Sequence, residues 1–326
     1  MGQTLQMIDS KSVTRFAADL DRLVAPGERV GLAVSGGPDS LALLLLAAAA
    51  RPGLVSAASV DHALRDGSRG EAEAVARLCG EIGVAHDILT IDWPAPPTSA
   101  LQEQARDARY AALGRWAVTH GLGAVATGHH ADDQAETLVM RLMRGAGVRG
   151  LAAMRPASSL PGMLEMKLIR PLLGWRRAEL AEVVAACAIT PAADPSNDDE
   201  RYERVRVRRR LAASLWLDPA ALAVSAAHLA AADDVIEYAV AREWEKVRHD
   251  GGALHYDPRD TPPELRRRVA ARMIATLASE GDGSKLRGRE LDRLVSEIES
   301  GSTATLRGVV ASGGPVWCFR TAPPRR

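Results

Sequence analysis

Gly31-Leu32-Ala33-Val34-Ser35-Gly36-Gly37-Pro38-Asp39-Ser40 is the stretch on which the fold turns. An apolar run, Val30 to Val34, breaks into a turn rich in glycine and hydroxyls, and Leu41 to Ala50 then reads as a buried helix. A strand, a tight turn and a helix start in that order leave backbone N–H groups unpaired, with the positive end of the helix dipole behind them. Glycine lets the backbone take positive φ and approach a phosphate closely. Ser35 and Ser40 add hydroxyl donors. The spacing is not GxxxxGK[ST], and no lysine follows, so this is not a Walker A loop.

Strand-like runs at Val30–Val34, Leu54–Val60, Val84–Ile91 and Ala124–Thr127 alternate with helical ones at Asp39–Arg51, Ser68–Ile82 and Ser99–His120. Alternation at this spacing predicts an α/β fold with a doubly wound parallel sheet. Ligands bind such sheets at the carboxyl ends of the strands, where the densest motifs fall. An amphipathic helix over Ser10–Val24 precedes the first strand. A helix over Ala131–Arg144, a fifth strand near Met166–Arg170 and a helix from Trp175 to Cys187 follow the fourth. We expect a catalytic domain over 1–215, a helical connector over 216–250 and a small α+β domain over 251–326.

Composition narrows the class further. Forty-one basic residues balance forty-one acidic ones, but 201–326 holds 22 Lys and Arg against 17 Asp and Glu, which fits a polyanionic partner. The three cysteines, Cys79, Cys187 and Cys318, are widely spaced, which fits a reducing cytoplasm and gives no metal-ligand set. No uncharged apolar run of about 18 residues occurs and the N-terminus lacks an apolar signal core, so neither a membrane span nor a secretory signal is expected.

Gly128-His129-His130-Ala131-Asp132-Asp133-Gln134-Ala135-Glu136-Thr137 follows the fourth strand and opens a helix. Asp133 and Glu136, three apart, share a helical face and suit Mg²⁺ or an ammonium ion; His129 and His130 suit proton transfer or phosphate. Val60-Asp61-His62-Ala63-Leu64-Arg65 ends the second strand, where Asp61 and His62 can contact a nucleotide. Arg106 and Arg109 lie at helical spacing, and a planar guanidinium suits phosphate or a base edge. Arg201, Arg204 and Arg208, at three and four spacing, predict a guanidinium face for RNA or ATP. Gly145-Ala146-Gly147-Val148-Arg149-Gly150 matches GxGxxG but follows a helix, so it is not a dinucleotide fingerprint. Ser312-Gly313-Gly314-Pro315 repeats the first loop without its Asp-Ser, so it reads as a turn between strands.

SGGPDS (Ser35–Ser40) resembles the pyrophosphate loop of the N-type ATP pyrophosphatases. With VDHALR, ARY (Ala108–Tyr110), GHHADDQAET, RPLL (Arg170–Leu173) and DPSN (Asp194–Asn197), in that order over roughly 25–215, the chain resembles the bacterial tRNA(Ile)-lysidine synthetases. Val205 stands where that family often has asparagine. The resemblance implies a Rossmann-like ATP pyrophosphatase domain that uses ATP and Mg²⁺. It implies O2 adenylation of the wobble cytidine in an isoleucine tRNA with a CAU anticodon, followed by attack of free L-lysine at C2. On that reading Ser35, Gly36, Gly37, Pro38, Asp39, Ser40, Asp61 and His62 hold ATP. Asp39 and Asp133 place the metal; Asp39, Arg109, His129, Asp133 and Glu136 carry the chemistry; Asp194, Asn197, Arg201, Arg204 and Arg208 hold substrate or tRNA. The location is cytoplasmic, and a homodimer is left open. Two other readings share the loop: a 2-thiocytidine synthetase, which needs cysteines for a cluster or persulfide, and a non-catalytic nucleotide- or RNA-binding module.

Overall fold

A computed structural model describes residues 3–63, 67–93, 101–192, 199–278 and 288–323. The chain divides into two compact units, Met1–Ala230 and Ala231–Arg326, and a long helix, Pro219–Trp244, runs through the division.

In the first unit the elements are α1 (Gln3–Gln6), α2 (Ser10–Asp21), β1 (Val30–Ala33), α3 (Pro38–Ala50), β2 (Val55–Asp61), α4 (Ser68–Ile82), β3 (Ala85–Thr90), α5 (Leu101–Thr119), β4 (Ala124–Ala126), α6 (Ala131–Leu142), α7 (Val148–Leu151), β5 (Ala157–Leu160), β6 (Met163–Ile169), α8 (Arg177–Ala186) and α9 (Glu203–Ala213), and α10 (Pro219–Trp244) begins in it and ends in the second. The sheet order is β3-β2-β1-β4-β6-β5. Strands β1, β2, β3, β4 and β6 pair in parallel; β5 adds an antiparallel edge through a hairpin with β6. The sequence pattern anticipated the parallel strands. It missed β5, whose Ala157, Ser158 and Ser159 are exposed and carry no apolar alternation.

The order reverses between β1 and β4, and at that switch point the two diverging loops open a crevice at the strands' carboxyl ends. α3 follows β1 and is buried on every side from Leu41 to Ala47, as its unbroken apolar run requires. It packs with α2 and α8 over one face of the sheet, in a core that includes Phe16, Leu32, Leu43 and Trp175. Tyr110, Leu113 and Trp116 of α5 cover the other face with Val125 and Leu168. The loop after β1 is thereby mounted on a rigid strand and a rigid helix.

The second unit holds β7 (Arg248–Asp250), β8 (Ala253–Tyr256), α11 (Pro263–Leu277), α12 (Gly288–Glu299), β9 (Thr303–Leu306), β10 (Val309–Ser312) and β11 (Trp317–Thr321), with antiparallel sheet order β7-β8-β11-β10-β9. Gly313 and Gly314 lie between β10 and β11, as the turn reading of that stretch anticipates. Tyr256, Met273, Ile298, Trp317 and Phe319 fill its core. Arg268 is buried there and pairs with Asp233, Glu237 and Glu264 at 2.6, 2.6 and 2.7 Å.

By length and composition α10 is apolar enough to cross a membrane, which the sequence reading did not expect. Its Asp233 is committed to the buried Arg268, and a bilayer would have to accept that carboxylate and Asp234 beside it.

Candidate active site

The loop after β1 is held from four directions. Val34 N–H donates to Ala58 O at 2.9 Å, and Ser59 Oγ donates to Val34 O at 2.7 Å. Ser35 N–H donates to Ser40 Oγ at 3.2 Å, which itself donates to Gly37 O at 2.9 Å. Gly36 sits at φ +87°, where only glycine is unstrained, and its carbonyl accepts from Ala192 N at 2.9 Å. Pro38 starts α3, and the first helical bond is Leu41 N–H to Gly37 O. The amides of Asp39 and Ser40 are left outside the helical ladder at the positive end of the dipole, an arrangement made for an anion. The fourth support is Gly128, after β4: a Cβ there would stand 2.8 Å from Asp39 O and 3.1 Å from Ser40 N. The two motifs are packed backbone to backbone.

The start of α6 forms an ionic core. His130, 0% exposed, has Nε2 3.4 Å from Asp39 Oδ2 and 3.6 Å from Asp133 Oδ2, and Nδ1 3.6 Å from Asp132 Oδ2. Burial opposes its charge, but the carboxylates of Asp132, Asp39 and Asp133 outweigh it and raise the imidazole to about 9. His130 is therefore an imidazolium at neutral pH. It links the loop carboxylate, Asp39, to the carboxylates of α6. His130 N–H also donates to Asp133 Oδ2 at 3.1 Å, closing the helix N-terminus.

Asp133 and Glu136 do share a face, and guanidiniums cover it. Arg204 Nη2 donates to Asp133 Oδ1 at 2.8 Å and Arg204 Nε to Glu136 Oε2 at 2.7 Å; Arg208 Nε donates to Glu136 Oε1 at 2.7 Å. Arg177 Nη2 stands 3.6 Å from Glu136 Oε1. Burial disfavours ionised Asp133, but His130 and Arg204 more than offset this and hold it below the usual carboxylate range. Asp132 faces the other way, accepting from Arg177 N at 2.8 Å and from Arg176. One oxygen at the centre stays unclaimed: Asp39 Oδ1 is buried with no hydrogen-bond partner among the described residues.

These groups line two openings that share Arg177 and Arg208. The first is a cleft of 430 Å³ bounded by Ser35, Gly37, Pro38, Asp39 and Ser40, by Arg106, Arg109 and Tyr110 of α5, and by Thr127, Gly128, His129 and Asp133. Its loop side offers anion donors and its α5 side two guanidiniums. The second is a cavity of 320 Å³ with Asp132 and Glu136 as anions, Arg176, Arg177 and Arg208 as cations, and Leu211 and Leu217 as apolar wall.

The fold thus gathers Ser35 to Ser40, Arg109, His129, Asp133, Glu136, Arg204 and Arg208 into one region. His129 Nδ1 lies 2.8 Å from Thr127 Oγ1, and burial pushes its imidazole down to about 4, so it is neutral and free to accept or donate a hydrogen bond. Asp61 and His62 do not line the cleft. Asp61 accepts from Ala63 N and Ser68 Oγ and so shapes the turn after β2. His62 Nε2 touches Arg109 at 3.3 Å and braces it from behind. Arg201 departs from the expected three-arginine face: it precedes α9, is exposed, and pairs with Asp199. Arg204 and Arg208 alone turn inward. Val205 is buried beside them. Asp194 and Asn197, with Leu64 and Arg65, lie outside the described residues.

Sequence reasoning gave no role to Gly128, Arg176 or Arg177 and did not separate the part of His130 from that of His129. His130 is adjacent to His129 and indistinguishable from it by spacing; only the strand-to-helix turn decides which imidazole goes inward. Arg176 and Arg177 follow RPLL by three and four residues, and their contact with α6 is long-range. The thiolation alternative finds no support in the cysteines: Cys79 is fully buried with its thiol pushed up to about 12 by burial, Cys187 caps the end of α8, and Cys318 lies on β11 in the second unit.

Comparison with known proteins agrees with this geometry. Residues 7–215 match the PP-loop domain family. The chain is 48% identical to a tRNA(Ile)-lysidine synthase of Novosphingobium aromaticivorans, over 97% of this chain and 96% of the relative. It is 41% identical to one of Zymomonas mobilis, over 91% and 90%. Among solved structures, the U34-tRNA thiolase NcsA from Methanococcus maripaludis shares the fold with a TM-score of 0.56 at 19% identity, over 67% of this chain and 76% of that one. With a PP-loop at the switch point, carboxylates and guanidiniums beside it, and full-length relatives of this kind, the chain belongs to the tRNA(Ile)-lysidine synthase family.

Proposed function

We propose that this chain uses ATP to join free L-lysine to C2 of the wobble cytidine, position 34, in the isoleucine tRNA that carries a CAU anticodon. The observation that carries this reading is the pair of adjoining openings. One is shaped for a nucleotide, and the other offers anions, cations and an apolar wall, the three surfaces of a lysine molecule.

In the first step the cytidine O2 attacks the α-phosphate of ATP, and pyrophosphate leaves. The loop from Ser35 to Ser40 binds the phosphates, and Arg106, Arg109 and neutral His129 bear on the transferring group and the flipped base. Asp39 Oδ1, buried without a partner among the described residues, fits a cation, and Asp39 would hold Mg²⁺, with Asp133 joining once Arg204 yields its oxygen. When bound, the ion neutralises phosphate charge. In the second step the lysine amine attacks C2, a C–N bond forms, the C–O bond to AMP breaks, and the amine proton passes to a carboxylate, Glu136 or Asp133. Glu136 and Asp133 orient the ammonium and take up its charge; Arg176 and Arg177 suit the lysine carboxylate. Both substrates of the first step are cytoplasmic, which fits a cytoplasmic site of action.

The test incubates the protein with ATP, Mg²⁺, labelled lysine and CAU-anticodon isoleucine tRNA. Label enters that tRNA with one AMP released per lysine. ATP binding without incorporation overturns the reading.

A further inference from the structure

The outward face of α9 is not absorbed by the site just described. Arg204, Arg208 and Leu211 turn inward, while Arg206, Arg209, Arg210 and Ala213 form the exposed stripe. Among the described residues, Arg206 donates to the carbonyls of Glu200 and Arg201, Arg209 pairs with Glu200, and Arg210 makes no ion pair. Among the described residues, neither Arg206 nor Arg210 pairs with a carboxylate. The stripe leads into two adjacent exposed large apolar side chains, Leu215 and Trp216, Trp216 at 83%. A tryptophan left this far in water buries little of its large apolar surface in the fold. The same turn carries Ser214 and Leu217, which wall the cavity beside Glu136 and Arg208.

We propose that Trp216 is a stacking platform for an unpaired base of the tRNA anticodon loop, with Arg210 and Arg206 holding the adjoining phosphates. The inference rests on the functional reading above and names a surface that it does not require. The excess positive charge selects a polyanion, and an exposed indole beside it selects one with splayed bases, because every base offers a π-face. Its chain neighbour Leu217, and Ser214 two residues before it, wall the cavity that adjoins the nucleotide cleft, so nucleotides flanking a flipped-out cytidine come within reach of the platform.

Dissociation constants for CAU-anticodon isoleucine tRNA are measured for the whole chain and its variants at several salt concentrations. Trp216→Ala weakens tRNA binding about tenfold, and Trp216→Phe restores most of it, with the KM values for ATP and lysine and the melting temperature unchanged. Arg210→Ala lowers the slope of log affinity against log salt by about 0.7. The tRNA also shields one tryptophan from iodide quenching, and the Trp216→Phe protein lacks that shielded component; Trp116, Trp175 and Trp317 are already buried. An unchanged dissociation constant in Trp216→Ala overturns the proposal. So does a Trp216→Ala protein whose sedimentation differs from the parent's without RNA, which would assign the patch to a second copy. Wild-type tRNA binding without lysidine formation would overturn the functional reading instead, and the dissociation constants would still judge Trp216.

Discussion

Gly128→Ala is the sharpest perturbation that the structure offers. The new methyl would stand 2.8 Å from Asp39 O, 3.0 Å from Asp39 C and 3.1 Å from Ser40 N. Carbon contacts settle near 3.5 Å, so the first turn of α3 must retreat by about 0.7 Å. All three atoms are backbone, and α3 cannot yield, because its residues from Leu41 to Ala47 are buried. Overpacking of this kind costs about 1–3 kcal/mol, or a fall of a few °C in melting temperature. The chemical consequence is larger. A misplacement of about 1 Å in a reacting group costs on the order of a hundredfold, so shifting Asp39 and the Ser40 amide by most of that distance costs at least about tenfold in turnover. AMP release from ATP in the presence of lysine and CAU-anticodon tRNA measures the loss, and thermal unfolding measures the strain. Gly37→Ala is the packing control: its methyl meets nothing nearer than Ser35 Oγ at 3.8 Å and leaves the melting temperature unchanged. Wild-type turnover in Gly128→Ala would refute the claim that contact between the two motifs sets the loop.

Arg204→Ala strips partners from Asp133 and from Glu136, which is 2% exposed, and destabilises the protein by about 3–5 kcal/mol; an unchanged melting temperature would return Arg204 to a purely RNA-binding role. Asp39→Asn abolishes AMP formation in a protein that still unfolds cooperatively, and near-normal turnover removes Asp39 from the chemistry. His62 and His129 titrate near 4, against 6.5 for a free imidazole, because burial disfavours their charge. Folded, they bind fewer protons than unfolded between pH 6.5 and 4, so their contribution to stability is complete above 6.5 and is lost as pH falls through that window. Imidazole NMR reads both midpoints, and a value near 6.5 for either contradicts the burial.

How much of this was legible in the chain depends on the range of the interaction. The alternation of apolar strands with helices located β1, β2, β3 and β4 within a residue or two, because each element's periodicity is local. The edge strand β5 was not legible, since it is defined by a partner rather than by its own pattern. Likewise β7 and β8 are short, and β7 is exposed throughout. The spacing of Asp133 and Glu136 placed them on one face correctly. It could not say that Arg204 and Arg208, some seventy residues later, would lie over that face, so a surface expected to meet RNA turned out to neutralise buried acids.

The sequence by itself determined the phosphate loop, the parallel sheet behind it and the set of residues near the reaction, since glycine conformation, helix polarity and apolar period act over a few residues. Only the tertiary structure decided which histidine goes inward, which arginines pair with which carboxylates, and which guanidiniums remain outside with Trp216. Those choices depend on where a side chain's charge can be compensated, and in a buried site the compensating group comes from elsewhere in the chain.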